Sequence, residues 1–214
     1  MKEYIPKPGE RVEVASRFVK DCENLLDVGC GDGIINHFIS DRVKNIYGVD
    51  NSREMVKKSI KRGLRVKLVD LDNDDFPFKT NYFDVITCLD VIEHVKNPNA
   101  LLEKIHRILK KNGTLIIATP NIRFSNHLYE LLLKGRFPKT STDISQYDGG
   151  HIHFFTFNDL IDLVKKNGFL IEEIEGVINK TRRGWKGRIL EFIFGKKIML
   201  EFRAPGILIS CIKK

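Results

Sequence analysis

The 214-residue sequence predicts an α/β protein: an open, doubly wound sheet of about seven strands, mostly parallel, with helices on both faces. Three observations predict it. Short apolar runs alternate with helical patterns, the signature of βαβ units. One run, Leu25–Val28, passes straight into Gly29, Gly31 and Gly33 at the mouth of a helical stretch, where a ligand can approach bare backbone. Notable acids, Asp50 and Asp70 among them, stand at the carboxyl ends of apolar runs, where such sheets bind ligands.

The elements follow in order. After Pro6 and Pro8, an amphipathic helix over Arg11–Val19 is expected to cover one side of a cleft or a sheet edge. Strand one is Asn24–Val28, followed by a helix over Ile34–Ser40. Strand two, Asn45–Val49, ends at Asp50. Ser52 caps a helix running to about Arg62, which Gly63 closes. Strand three is Arg65–Val69 and strand four Phe83–Cys88; a helix over Asn99–Leu109 then leads to strand five, Thr114–Thr119. Ile122–Lys134 reads as a helix broken by Gly135–Arg136–Phe137–Pro138, and the polar stretch after it extends to Gly150. An insertion of this length at the ligand-binding edge reads as a lid or acceptor wall. Thr156 or Asn158 caps a helix over Asp159–Lys166. Strand six is Phe169–Glu175, and Pro205–Lys214 is an antiparallel last strand. The whole reads as one domain: residues 1–23 a helical cover, 24–121 the core, 122–156 the lid, and 157–214 the closing helices and strands.

Composition narrows the setting. With 42% hydrophobic and 30% charged residues the chain has the balance of a soluble protein. No apolar run has the length of a membrane span, and Met1–Tyr4 opens no signal-peptide core, so a cytoplasmic setting is expected. The scattered cysteines (Cys22, Cys30, Cys88, Cys211) form no C-x-x-C and read as free thiols. A net charge of +8 suits anionic partners or, more plainly, a lysine-rich solvated surface.

The glycine spacing is G-x-G-x-G; the third glycine of a dinucleotide fingerprint would fall where Ile34 stands. An acid, Asp27, lies two residues ahead of Gly29, and an acid suits a cationic ligand with donors of its own. Asp50 follows at about the distance expected of a ribose-binding acid, although a lone acid after a strand also serves as a turn residue or helix cap. Together, these residues resemble the class I S-adenosylmethionine-dependent methyltransferases, clearly from Leu25 to Asn121 and more loosely to Gly176. That resemblance implies a Rossmann-like fold and S-adenosylmethionine as cofactor, with S-adenosylhomocysteine as product. It implies cofactor contacts at Asp27, Gly29, Gly31, Asp50, Asp70, Leu71 and Leu89.

Phe83–Val95 resembles the family's strand-four motif followed by the Glu-His pair of its small-molecule branch. Asp90, Glu93 and His94 would share one face of a helix. Two readings stand side by side. In one, Glu93 and His94 fix the loop after strand four. In the other, Asp90, Glu93, His94 and His151 hold Mg²⁺, Mn²⁺ or Zn²⁺ beside the methyl acceptor, as in the similar segments of ubiquinone-pathway O-methyltransferases and small-RNA 2′-O-methyltransferases. His94, His151 and His153 are the candidate bases for an acceptor hydroxyl. The stretch from Pro120–Asn121 through Gly135–Pro138 to His151–Thr156 also resembles the MetW-like subgroup.

These likenesses imply O-methylation of a small hydroxylated metabolite, a sugar or a lipid-linked acceptor. The alternatives are a MetW-like accessory protein of methionine biosynthesis and a metal-dependent RNA 2′-O-methyltransferase. No Asn-Pro-Pro-Tyr-type motif follows strand four, which argues against planar amines, and no RNA-binding module accompanies the domain. The basic, tryptophan-bearing stretch at 180–194 is a candidate contact with an anionic membrane surface, or a basic loop and helix packed on the sheet.

Overall fold

The computed structural model describes residues 10–141, 143, 146–177 and 195–214. Seven strands form one sheet: β1 (Cys22–Val28), β2 (Val43–Asp50), β3 (Arg65–Leu68), β4 (Phe83–Leu89), β5 (Leu109–Pro120), β6 (Phe169–Val177) and β7 (Gly206–Lys213). Their order is β3-β2-β1-β4-β5-β7-β6. β7 runs antiparallel to both β5 and β6, while the pairs from β3 through β5 are parallel. The antiparallel last strand is therefore present, and it is inserted between two others.

Side-chain alternation divides the core between the sheet's two faces. Leu26, Val28, Leu115 and Ile117 point into one cluster, with Leu101, Leu102 and Ile105 of α4 (Pro98–Ile108) and Leu160 and Val164 of α6 (Phe157–Lys166). Leu25, Ile116 and Ala118 point into the other, with Val14 and Ala15 of α1 (Arg11–Ser16) and Ile39 of α2 (Asn36–Ile39). α1 thus covers a sheet face and no edge. The expected helix at 34–40 narrows to one turn, because the preceding residues close by i→i−3 bonds: Asn36 N–H to Gly33, His37 to Ile34 and Phe38 to Ile35.

Local signals set several boundaries. Ser52 accepts from the Met55 N–H at the start of α3 (Arg53–Lys61). Thr156 and Asp159 form a reciprocal capping box on α6. α5 (Ser125–Lys134) ends at Gly135 in the left-handed region. It buries none of its side chains, leaving Leu132 and Leu133 open to solvent. α7 (Lys196–Arg203) leads into β7. The stretch at 180–194, proposed from sequence for membrane contact, lies outside the described residues. Among the described residues, no helix is long and apolar enough to cross a membrane.

Candidate active site

The carboxyl ends of β1, β2 and β4 meet at one edge, and the glycine loop crosses it. Gly29 and Cys30 both donate their N–H to the Val49 carbonyl, at 2.8 and 3.1 Å. Asp50 fixes the loop's other side: one carboxylate oxygen accepts from the Gly31 N–H at 2.9 Å and the other from the Ser52 N–H at 2.8 Å. A carboxylate has about four acceptor positions, so each oxygen keeps one for a ligand hydroxyl. Gly31 has φ +52, and a Cβ built on it meets nothing within 4 Å among the described residues, which leave the loop open there. At Gly29, φ +67, a Cβ would lie 2.4 Å from Cγ2 of Val91. The glycine loop is therefore in contact with the turn after β4.

Asp27 is buried, and its Oδ1 accepts from the Thr87 hydroxyl at 2.7 Å. Burial pushes its carboxyl up to about 7, against the pull of the Thr87 bond, and Asp50 adds to the rise. A cation beside it would favour the ionised form. Asp70 is exposed and closes its own loop, accepting from the Asp72 and Asn73 backbone N–H groups and the Asn73 side-chain amide. The Asn73 amide leads in holding its carboxyl below the usual range. Leu71 packs half-buried against the core, and Leu89 ends β4, half-buried beside the opposite cluster.

The second half of the site starts at Asp90, whose backbone is left-handed (φ +55). Residues 90–95 form turns where a helix was a possibility, and the four expected ligands do not all converge. Asp90 is set apart, its carboxylate ion-paired with Arg11. Glu93, His94 and His151 do converge, offering ligand atoms within 4.8 Å of one another. Glu93 is 1% exposed; its Oε2 accepts from the Thr119 hydroxyl at 2.9 Å, while Oε1 has no hydrogen-bond partner among the described residues. That bare oxygen lies 3.9 Å from Nε2 of His151. Burial raises the Glu93 carboxyl, opposed by a backbone hydrogen bond, by Thr119 and by the charges of Arg11 and His94.

His94 Nδ1 lies 3.3 Å from the Gly150 carbonyl. A carbonyl only accepts, so Nδ1 carries a proton; in the neutral ring Nε2 then keeps the lone pair. The His94 and His151 rings meet edge to face at 4.6 Å. Burial lowers the His151 imidazole, and neighbouring His94 lowers it further. The Glu93 carbonyl accepts from the N–H groups of Ile152 and His153, at 2.9 and 3.1 Å, which docks the 150–153 stretch on the turn. His153 is the odd candidate: its Nε2 is buried without a partner among the described residues, outside the cluster. Thr119, Arg11, Thr140 and Asp148 also shape the site, and sequence reasoning missed them. The polar end of β5 could have flagged Thr119, and the turn-forming Asp148–Gly149–Gly150 could have flagged Asp148.

Strand order and site edge together define the class I methyltransferase fold. Solved structures agree: a S-adenosylmethionine-dependent methyltransferase from Archaeoglobus fulgidus superposes with a TM-score of 0.67 at 18% identity, covering 95% of this chain and 91% of that one. A second, from Mesorhizobium loti, gives 0.63 at 15% identity over 94% and 96%. A family model described as "Methionine biosynthesis protein MetW" matches residues 10–202, and the chain belongs to that family. Among curated proteins, the ubiquinone biosynthesis O-methyltransferase of Rickettsia prowazekii is 27% identical over 176 residues. That of Aeromonas salmonicida is 24% identical over 164 residues. The matches cover 76% and 72% of this chain but only 65% and 66% of those relatives.

Proposed function

We propose that the protein transfers a methyl group from S-adenosylmethionine to a hydroxyl of a small acceptor. One observation carries this reading: the glycine loop touches, through Gly29 and Val91, the turn that bears Glu93 and His94. An adenosine cradle and a cluster of proton-accepting groups thus share one edge.

The donor and acceptor geometry fits the cofactor. Asp50 would accept from the ribose hydroxyls with its remaining lone pairs, and the open face of Gly31 would admit the ligand against the backbone. Asp27 would ionise beside a positively charged amino acid portion. By the resemblance, Asp70 and Leu71 would contact the adenine and Leu89 the methionine portion. S-adenosylmethionine supplies a methyl carbon on a sulfonium whose departure needs no general acid. The protein's own tasks are alignment, exclusion of water and removal of the acceptor's proton. His94 and His151 each present a basic nitrogen to that task, with Glu93 behind them. The same cluster is a candidate site for Mg²⁺, Mn²⁺ or Zn²⁺, because a bare buried carboxylate oxygen calls for a cation or a proton.

The test is methyl transfer from labelled cofactor to a panel of hydroxylated small molecules. His151→Ala and Glu93→Gln should lower turnover at least tenfold while leaving cofactor binding intact; wild-type turnover in both variants would overturn the assignment. Calorimetry with Mn²⁺ or Zn²⁺ should register a site in the wild type that Glu93→Gln removes. The family match favours a second reading, a role in methionine biosynthesis alongside another enzyme. It predicts cofactor binding without turnover on any acceptor, and co-purification with an acyltransferase.

A further inference from the structure

One buried side chain, Asp148, ties the chain just after α5 to the stretch that bears His151. Asp148, with φ +48, is 1% exposed. Its Oδ1 accepts from the Thr140 and Ser141 backbone N–H groups, at 2.6 and 2.8 Å, and its Oδ2 from the Thr140 hydroxyl at 2.8 Å. The fit is tight: a Cβ on the adjacent Gly149 would lie 2.3 Å from the Ser141 hydroxyl oxygen. The Thr140 hydroxyl also sits 2.6 Å from Nδ1 of His151.

A hydroxyl has one proton to give. Thr140 gives it to the Asp148 carboxylate, which can only accept, so toward His151 the same oxygen must accept. We propose that Asp148 and Thr140 are positioning residues that lock His151 in its Nδ1–H form and so aim the lone pair of Nε2 at Glu93 Oε1. The bond order is Asp148 carboxylate ← Thr140 O–H, then Thr140 Oγ ← His151 Nδ1–H. No proton is free on the ring to meet the bare Glu93 oxygen, so the pair has room for a proton or a cation brought from elsewhere. The basic nitrogen is thereby prepared by the segment that follows α5, far along the chain from the strand ends that form the cradle. The bearing of this on methyl transfer rests on the function proposed above; the tautomer itself rests on the hydrogen bonds alone.

The isosteric change Asp148→Asn reverses the chain of donors. The amide oxygen can keep the two backbone N–H bonds, while the amide nitrogen replaces Oδ2 and donates to Thr140. The Thr140 proton, no longer drawn to a carboxylate, is then free for His151 Nδ1, and the expected outcome is that the ring proton moves to Nε2. Long-range ¹H–¹⁵N correlation on full-length, histidine-labelled protein reads this directly. It is run at pH 8 in chelator, so that no cation dictates the tautomer, with His151 assigned by loss of its signals in His151→Gln. Expected are Nδ1–H in the wild type and in Thr140→Ser, Nε2–H in Asp148→Asn, and a weakened preference in Thr140→Val, where Asp148 Oδ2 still lies 3.6 Å from Nδ1. An Nε2–H in the wild type, or an unchanged tautomer in both Asp148→Asn and Thr140→Val, overturns the proposal. Should Asp148→Asn fail to fold, Thr140→Val against Thr140→Ser decides alone. If methyl transfer is established, Asp148→Asn should lower kcat about tenfold with KM for the cofactor unchanged, and Thr140→Ser should keep wild-type kcat.

Discussion

The two sides of the sheet edge treat their polar groups in opposite ways. On the glycine-loop side, Asp50 receives two backbone N–H groups, Asp27 a threonine hydroxyl, and Asp70 the amides of its own loop. On the histidine side, Glu93 Oε1 and His153 Nε2 are buried without partners among the described residues, and His151 Nε2 faces Glu93 across 3.9 Å. The first side is organised before any ligand arrives. The second holds acceptor capacity in reserve, which a buried site sustains only at an energetic cost. A fold can carry such a cost where binding or proton transfer relieves it.

Asp27 sharpens the contrast most, because it is the exception on the satisfied side. Its carboxyl is pushed up to about 7 in the fold, against an ordinary 3.8. The folded state then holds the extra proton between these values, so its stability falls as pH rises from about 4 to about 7. Asp27→Asn should remove that slope. It should gain up to about 4 kcal/mol over the wild type at pH 8 and nothing at pH 4, read by chemical denaturation. Equal slopes for both proteins would place Asp27 with the fully satisfied groups.

Gly29→Ala tests whether the two sides are joined. A methyl group there meets Val91 at 2.4 Å and adopts a left-handed backbone, at an expected total of about 3 kcal/mol. The same change should disturb the Glu93–His94 turn, seen as shifted imidazole resonances of His94 and His151. Undisturbed histidines would mean the halves are built independently. Thr156→Ala is the control, since it loses a capping box and touches neither side. It should lower stability by about 1 kcal/mol and leave cofactor affinity and the histidine resonances unchanged.

The contrast also explains what could be read from the sequence. The glycine-loop side is written in short spans, Asp27–Gly33 and Asp50–Ser52, where glycines and acids punctuate strand ends. Ser52 and Thr156 show their caps for the same reason, and alternating apolar runs show the strands. The histidine side draws on Arg11, Glu93, Thr119, Thr140, Asp148 and His151, brought together only by docking one segment on another. His151 was visible as a residue type, yet its bond to Thr140 was not. Asp90 stood at the right spacing for a ligand, but spacing is blind to a left-handed turn and to an arginine from α1. The place of β7 between β5 and β6 was likewise beyond local pattern, since it depends on which edge the last strand pairs with.

Titration calorimetry of S-adenosylmethionine against the wild type and Asp50→Ala tests the central claim most directly, that this edge is an adenosyl cradle. The account predicts saturable binding by the wild type, weakened at least a hundredfold in the variant, as two charge-assisted hydrogen bonds of about 1.5–3 kcal/mol each are lost. Equal affinity in the two proteins, or no heat of binding in the wild type, would contradict it.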